Sequence, residues 1–194
     1  MPHEFGSLPF QPAPHGCVGF AWSALVKNHE APRHEVPPQE IRNRLAGPSD
    51  VDALVRLINA AFVVERPIFD GDRTSAEGVR AYLEKGKFLV AEDSAGLAGC
   101  VYIEIRGDRG YIGLLSVEPP RQGSGLGRKL MQAAEKFFRE ANCIAADLRV
   151  VSARAPLPAF YGHLGYSETH RADMPAEARP KIPCQFIYMS KGLA

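Results

Sequence analysis

The chain has 194 residues, 45% of them hydrophobic and 23% charged, with 23 basic residues against 22 acidic ones and a net charge of +1. No Lys/Arg block is longer than a pair, so neither nucleic acid nor an anionic membrane is implied as partner, and no apolar run approaches the ~18 residues of a membrane span. Length and composition fit one soluble α/β-sized domain with an appendage.

Residues 1–40 differ in kind from the rest. They hold seven of the 16 prolines and four of the six histidines (His3, His15, His29 and His34) and show no sustained period of 2 or 3.6. The histidine spacings fit no metal-ligand template, so the segment is expected to be a flexible Pro-rich extension and no metal is expected. Its short apolar patch at 17–26 lacks a preceding basic region, which argues against a signal peptide and makes the cytoplasm the expected compartment. Cys17, Cys100, Cys143 and Cys184 form no CxxC pair or zinc spacing; reduced thiols are expected, with Cys100 and Cys143 in the core.

A regular pattern begins at Ile41, so the domain is placed at 41–194. Ile41–Leu45 reads as a strand stopped by Gly47-Pro48, and Ser49 is placed to cap a helix with Val51, Leu54, Val55, Ile58, Ala61 and Phe62 on its apolar face. Thr74-Ser75-Ala76-Glu77 has capping-box form and opens a second helix that ends at Gly86. Lys87–Glu92, Leu97–Ile105 and Tyr111–Val117 follow as an antiparallel meander with tight turns between them. In its second strand Val101, Ile103 and Ile105 are the expected core side, opposite Tyr102 and Glu104.

Next comes a loop with Gly123, Gly125 and Gly127. It opens a helix whose apolar face is read as Leu126, Leu130, Ala134, Phe137 and Ala141. Ala145–Val151 is a strand, parallel to Tyr111–Val117 through a right-handed crossover. A short helix at Leu157–Leu164 and strands at Tyr166–His170 and Phe186–Ser190 complete the order β-α-α-β-β-β-α-β-α-β-β.

A strand feeding a glycine-rich helix start presents unpaired backbone N–H groups at the positive end of a helix dipole, which suits a phosphate-bearing ligand. A Walker A loop would need GxxxxGK[ST], which is absent. A dinucleotide fingerprint would need GxGxxG, and the third glycine comes one residue too early.

The element order, the run Gln122-Gly123-Ser124-Gly125-Leu126-Gly127 after a strand ending Leu115-Ser116-Val117, and the later Tyr161-Gly162-His163-Leu164-Gly165-Tyr166 resemble the GNAT superfamily of acyl-CoA-dependent N-acyltransferases. The resemblance implies a mixed, mostly antiparallel central sheet with helices on both faces. Its central parallel pair is expected to splay at Leu115–Val117 and Leu148–Val150. It also implies acetyl-CoA as co-substrate, bound by Leu115, Ser116, Val117 and the loop Gln122 to Gly127, with Arg128 and Lys129 near the phosphates. A backbone N–H near Val117 would support the thioester carbonyl.

By the same resemblance, Tyr161 is the general acid for the departing thiolate. Glu104, Glu65 or a water relay is the base. Many members carry Asn and Ala seven and four residues before the tyrosine; here these are Arg154 and Leu157, similar to a branch with Arg-x-x-Leu. Arg154 is therefore expected to meet a CoA phosphate or an acidic substrate group. The implied reaction is acetyl transfer to a primary amine of a small molecule or peptide. A non-catalytic acyl-CoA-binding regulatory module is the alternative.

Overall fold

The computed structural model describes residues 40–193. The expected extension at 1–40, its histidines and Cys17 lie outside these residues, apart from Glu40. Seven strands form one sheet in the order β1-β2-β3-β4-β5-β7-β6. They are β1 (Arg42–Leu45), β2 (Lys87–Asp93), β3 (Gly96–Arg106), β4 (Arg109–Val117), β5 (Ala145–Val151), β6 (Ser167–Asp173) and β7 (Gln185–Gly192). Neighbours are antiparallel except β4 and β5, which run parallel on either side of the helix that joins them.

Four helices complete the described fold: α1 (Val51–Phe62), α2 (Ala76–Lys85), α3 (Leu126–Glu140) and α4 (Pro156–Gly162). Both faces of the sheet are covered. One core joins Leu126, Leu130, Met131, Ala134 and Phe138 of α3 to Val101, Ile103, Ile112, Leu148 and Val150. The other joins Val51, Leu54, Leu57 and Ile58 of α1 and Val79 of α2 to Phe88, Val90, Cys100, Tyr102 and Leu114.

Several sequence expectations are corrected by this two-sided burial. Cys100 and Tyr102, on the face opposite Val101 and Ile103, are as buried as those residues, whereas Ile105 lies past the covering helices and is 47% exposed. On α3 the fully buried aromatic is Phe138 rather than Phe137, and Ala141 is exposed beyond the helix end. The cap before α1 is not Ser49. A short turn at Pro48–Asp50 intervenes, and the Asp50 carboxylate accepts from Gly47 N at 2.8 Å while Arg44 holds it at 2.7 and 2.9 Å. At α2 the capping residue is Ser75, whose hydroxyl accepts from Gly78 N at 3.2 Å, so the Thr74–Glu77 box does not form.

Two features shape the middle of the sheet. Against β3, β4 carries a bulge: Tyr102 pairs with Gly113 but Cys100 with Ser116, and within the extra residue Leu114 adopts φ 46°. A bulge inserts one residue and bends the strand. It also reverses the alternation, so that Ile112, Leu115 and Val117 meet the α3 core while Leu114 joins the α1 core. Against β5, the parallel ladder runs from Arg109↔Ala145 to Ile112↔Leu148 and stops there. Beyond that point β5 continues to pair with β7 alone, up to Val151↔Phe186.

Phe138 sets how closely α3 approaches the paired half of β4. A Cβ added at Gly110 would sit 2.4 Å from the Phe138 ring, whereas one at Gly47 would meet nothing within 4 Å. A buried ring cannot yield without opening the core. Gly110→Ala is therefore expected to lower unfolding free energy by about 1–3 kcal/mol in urea denaturation, the usual scale of overpacking. Gly47→Ala should stay within about 0.5 kcal/mol of the parent; equal midpoints for the two variants would contradict this account of α3 docking.

Candidate active site

Where β4 and β5 part, a cleft of about 740 Å³ opens. Its walls are the free edges of the two strands, the loop before α3, the start of α4 and the segment between α1 and α2. Each wall follows from local chemistry. Gly123 (φ 81°) and Gly125 (φ 85°) turn the chain through left-handed conformations that other residues rarely adopt, and so aim the start of α3 at the cleft. Gln122 Nε2 donates to Val117 O at 3.1 Å and Ser124 Oγ to Arg121 O at 2.7 Å, which closes the loop on itself. Arg121 anchors it from below through ion pairs to Asp93 and to Glu118, the latter at 2.8 Å.

The N–H groups of Gly123, Gly125, Leu126, Gly127 and Arg128 find no acceptor among the described residues. Five unpaired donors at the positive end of a 15-residue helix make an anion cradle. A Cβ at Gly127 would project between Val117 and Phe160, at 3.7 and 3.9 Å, into the passage from this cradle to the strand edges. The glycine thus keeps open a channel that a phosphate-terminated chain would need.

The segment between α1 and α2 forms the opposite lip. Asn59 pins its end with paired hydrogen bonds to Thr74 N and O, both 3.0 Å. Lys181 ties it to the loop before β7, donating through N to Ile68 O at 2.8 Å and through Nζ to Arg66 O at 2.9 Å and Asp70 at 2.6 Å. Held in this way, Glu65 is only 7% exposed and lines the cleft. Burial raises its pKa, while the Arg73 and Arg154 cations oppose the shift; Arg154 Nη1 is 3.4 Å from Glu65 Oε1. A carboxylate whose proton affinity is raised is better matched to taking a proton near neutral pH.

Tyr161 reaches the same cleft from α4. It is 8% exposed, wedged edge-on between Phe160 and Tyr166, and its phenol is pushed well up by burial, with Arg154 acting the other way. It therefore stays protonated through the physiological range, able to donate. Arg154, expected to meet a phosphate or an acidic substrate group, lines the cleft beside Glu65 and Tyr161.

The structure brings Leu115, Val117, Gln122, Gly123, Gly125, Gly127, Arg128, Arg154 and Tyr161 to one cleft. It does not bring Glu104 there. Glu104 lies in a separate small groove with Gly78, Ala81, Lys85 and Arg106, where its carboxylate accepts from Tyr102 Oη at 3.0 Å and Arg106 at 2.7 Å. Those donors, the Arg106 bond foremost, lower its pKa, which is opposite to what a base requires. Ser116 is buried and donates to Leu114 O at 3.0 Å, while Ser124, Leu126 and Lys129 do not line the cleft through their side chains. Sequence reasoning missed Arg73 and Arg149. The second was within reach, since Leu148 and Val150 as core residues place Arg149 on the other face of β5.

Residues 51–166 match the profile of the Acetyltransferase (GNAT) family. Mycothiol acetyltransferase of Propionibacterium freudenreichii subsp. shermanii is 30% identical over 125 residues, which cover 61% of this chain and 40% of that protein. The chain thus spans well under two thirds of that relative's length. Among solved structures, ribosomal-protein-S18-alanine N-acetyltransferase from Escherichia coli superposes with a TM-score of 0.64 at 16% identity, over 80% of this chain and 95% of that one. The PaiA N-acetyltransferase from Thermoplasma acidophilum, solved in complex with coenzyme A, gives 0.65 at 17% identity, over 79% and 99%. At such identities the likeness is one of fold.

Arg73 and Arg154 both offset the burial of Glu65, and Arg154 is the one at ion-pair distance, so its removal should leave the carboxylate buried with less compensation. Arg154→Met is expected to move the Glu65 titration further above the ordinary glutamate range, read by carboxyl ¹³C NMR. A downward shift, or none, would show that Arg154 does not set the charge state of Glu65.

Proposed function

Because the chain belongs to the GNAT acetyltransferase family, and so is an acyltransferase that depends on acetyl-CoA, we propose that it moves the acetyl group to a primary amine of a small molecule or peptide by direct attack. The observation that carries this reading is the broken β4–β5 ladder beside the anion cradle. The edge Gly113–Val117 offers backbone donors and acceptors with no strand opposite, in line with the five unpaired N–H groups before α3. An amide-containing arm ending in a pyrophosphate fits that edge as an added strand and that loop as its terminus. The acyl donor supplies an activated thioester carbonyl; the protein supplies position and proton transfer.

In this reading Glu65 takes the proton from the incoming ammonium, directly or through one water, and Tyr161 gives its phenolic proton to the sulfur. The N–C bond forms, the C–S bond breaks, and the second proton that the nitrogen sheds as the intermediate collapses restores the Tyr161 phenol. A backbone N–H at the open end of β4 stabilises the negative charge that develops on the carbonyl oxygen. The demand on the base depends on the acceptor. At pH 7 an amine of pKa ~10.4 costs about 4–5 kcal/mol to deprotonate, an α-amino group near 8 only ~1 kcal/mol. Arg73 and Arg154 hold Glu65 ionised more readily than burial alone would, and Arg128 stands at the cradle for phosphate charge.

Thiol release from acetyl-CoA across a panel of primary amines tests the reading. Saturable acetyl-CoA binding with no turnover of any amine would replace it with the regulatory binding module. Tyr161→Phe should lower kcat about a hundredfold with little change in acetyl-CoA affinity; unchanged kcat would retire the acid role. For the base the sign follows from the direction of the shift. Glu65 accepts a proton only when ionised, and its pKa is raised, so kcat/KM should fall as pH drops through a value above the ordinary glutamate pKa of ~4.3. In Glu65→Gln that acid limb should vanish and kcat fall by about 10²–10⁴. A limb that survives the substitution assigns the proton to another group.

A further inference from the structure

The cleft is lined by six arginines, Arg66, Arg73, Arg121, Arg128, Arg149 and Arg154, against three carboxylates, Glu65, Asp70 and Asp72. Most of these charges are already engaged. Arg154 faces Glu65, Arg66 pairs with Asp72 at 3.9 Å, Asp70 is held by Lys181, and Arg121 is spent on Asp93 and Glu118. Arg73, Arg128 and Arg149 have no carboxylate at ion-pair distance among the described residues, although Arg73 acts on Glu65 from further away. Arg128 belongs to the phosphate cradle at the start of α3. The other two lie elsewhere.

Arg149 follows the alternation of β5. Leu148 and Val150 point into the α3 core, as do Ile187 and Met189 of the adjacent β7, so Arg149 shares the opposite face with Phe186 and Tyr188. Its guanidinium lies 4.4 Å from the centroid of the Phe186 ring. Arg73 comes from the segment before α2 and lies 5.1 Å from the centroid of Phe62, which packs on the α1 core. Tyr111 is also on that side: burial raises its phenol, and Arg149, Arg106 and Arg73 oppose the shift, Arg106 lying 3.8 Å from the ring centroid. Both cations are therefore on the α1/α2 face of the sheet, away from the α3 face that carries the cradle. Stacking on an aromatic face orients a guanidinium without using its hydrogen-bond donors.

We propose that Arg73 and Arg149 form an anion-recognising acceptor subsite, which selects amines that carry a carboxylate or phosphate group. The proposal rests on the acetyl-transfer reading above for the amine, but not for the anion. Two guanidinium forks that line the same cleft from the same face of the sheet, each without an ion-pair partner, offer bidentate donation to either oxyanion, and they leave Glu65 to meet the ammonium. Electrostatics also favours this division, since an amine without an anion would bring a bare positive charge to a wall with two cations that have no ion-pair partner.

The test compares two amines of similar basicity: a dipeptide with a free C-terminal carboxylate and the same dipeptide as its C-terminal amide. Phosphoethanolamine against ethanolamine serves as the phosphate arm. With acetyl-CoA saturating, kcat/KM should favour the anionic member of at least one pair by about tenfold or more. Arg149→Gln, at an exposed position and not among the charges that act on Glu65, should remove that preference mainly through KM; Arg73→Gln should remove it too and also move the Glu65 acid limb upward in pH, because Arg73 opposes the rise in the Glu65 pKa. The arm that responds identifies the oxyanion. No preference in either pair, or one that persists in the double variant, overturns the subsite.

If no amine is turned over, the acetyl-transfer reading fails separately, and the subsite is then read from binding. Arginine Nε–H NMR signals assigned by the two variants should shift on adding the dipeptide carboxylate or phosphoethanolamine and not on adding their neutral partners. Absence of that shift rejects the subsite whatever the activity.

Discussion

The feature on which the rest of this structure depends is the end of the parallel ladder at Ile112↔Leu148. Backbone groups in a sheet interior are ordinarily paired, and leaving a run of them unpaired is costly unless water or a ligand takes them. Here the cost is confined to one place because β4 and β5 are each held by another neighbour. The β3 ladder carries β4 to Val117, and the β7 ladder carries β5 to Val151. The bulge at Leu114 bends β4 at the point where it leaves β5, and Gly110 with Phe138 clamps the paired half against α3. A wedge results, fixed at its narrow end and open at the other.

The candidate site residues among the described ones gather at the open end. The crossover helix must start where β4 ends, so the glycine loop and its unpaired N–H groups are delivered to the mouth of the wedge by connectivity alone. The segments before α2 and before β7 close the other side, tied to each other through Lys181. Charge then divides the cleft in two. One end has the cradle and Arg128; the other has Glu65 under the influence of Arg154 and Arg73, with Arg149 on the sheet face beyond. Tyr161 lines the same cleft, protonated because it is buried.

Legibility in the sequence followed the range of the interactions involved. The eleven-element order was readable because periodicity, turns and glycines are local signals, and β5 was placed at its observed limits from its apolar run between two polar stretches. Errors arose where a distant segment decides the outcome. The strand β3 was read as half-buried, since alternation cannot reveal that both faces are covered; Tyr102 is buried because α1 and α2 lie over it. Phe137 and Phe138 are adjacent and equally apolar, and the choice between them depends on Gly110, twenty-eight positions away in the chain. Glu104 seemed poised by its strand position but is spent on Tyr102 and Arg106, both two residues from it, while Glu65, in a short 3-10 turn after α1, becomes the buried carboxylate of the cleft.

From its residues alone, then, the chain determined its family, its order of elements and the glycine loop that presents donors to an anion, because each is written in short stretches whose backbone preferences are strong. Only the tertiary structure decided which carboxylate is desolvated, which arginines are left without partners and which face of β5 they share with an aromatic ring. Those outcomes depend on burial and on charges brought together from α1, β5 and the loop before β7, and neither quantity exists until the sheet has closed everywhere except between β4 and β5.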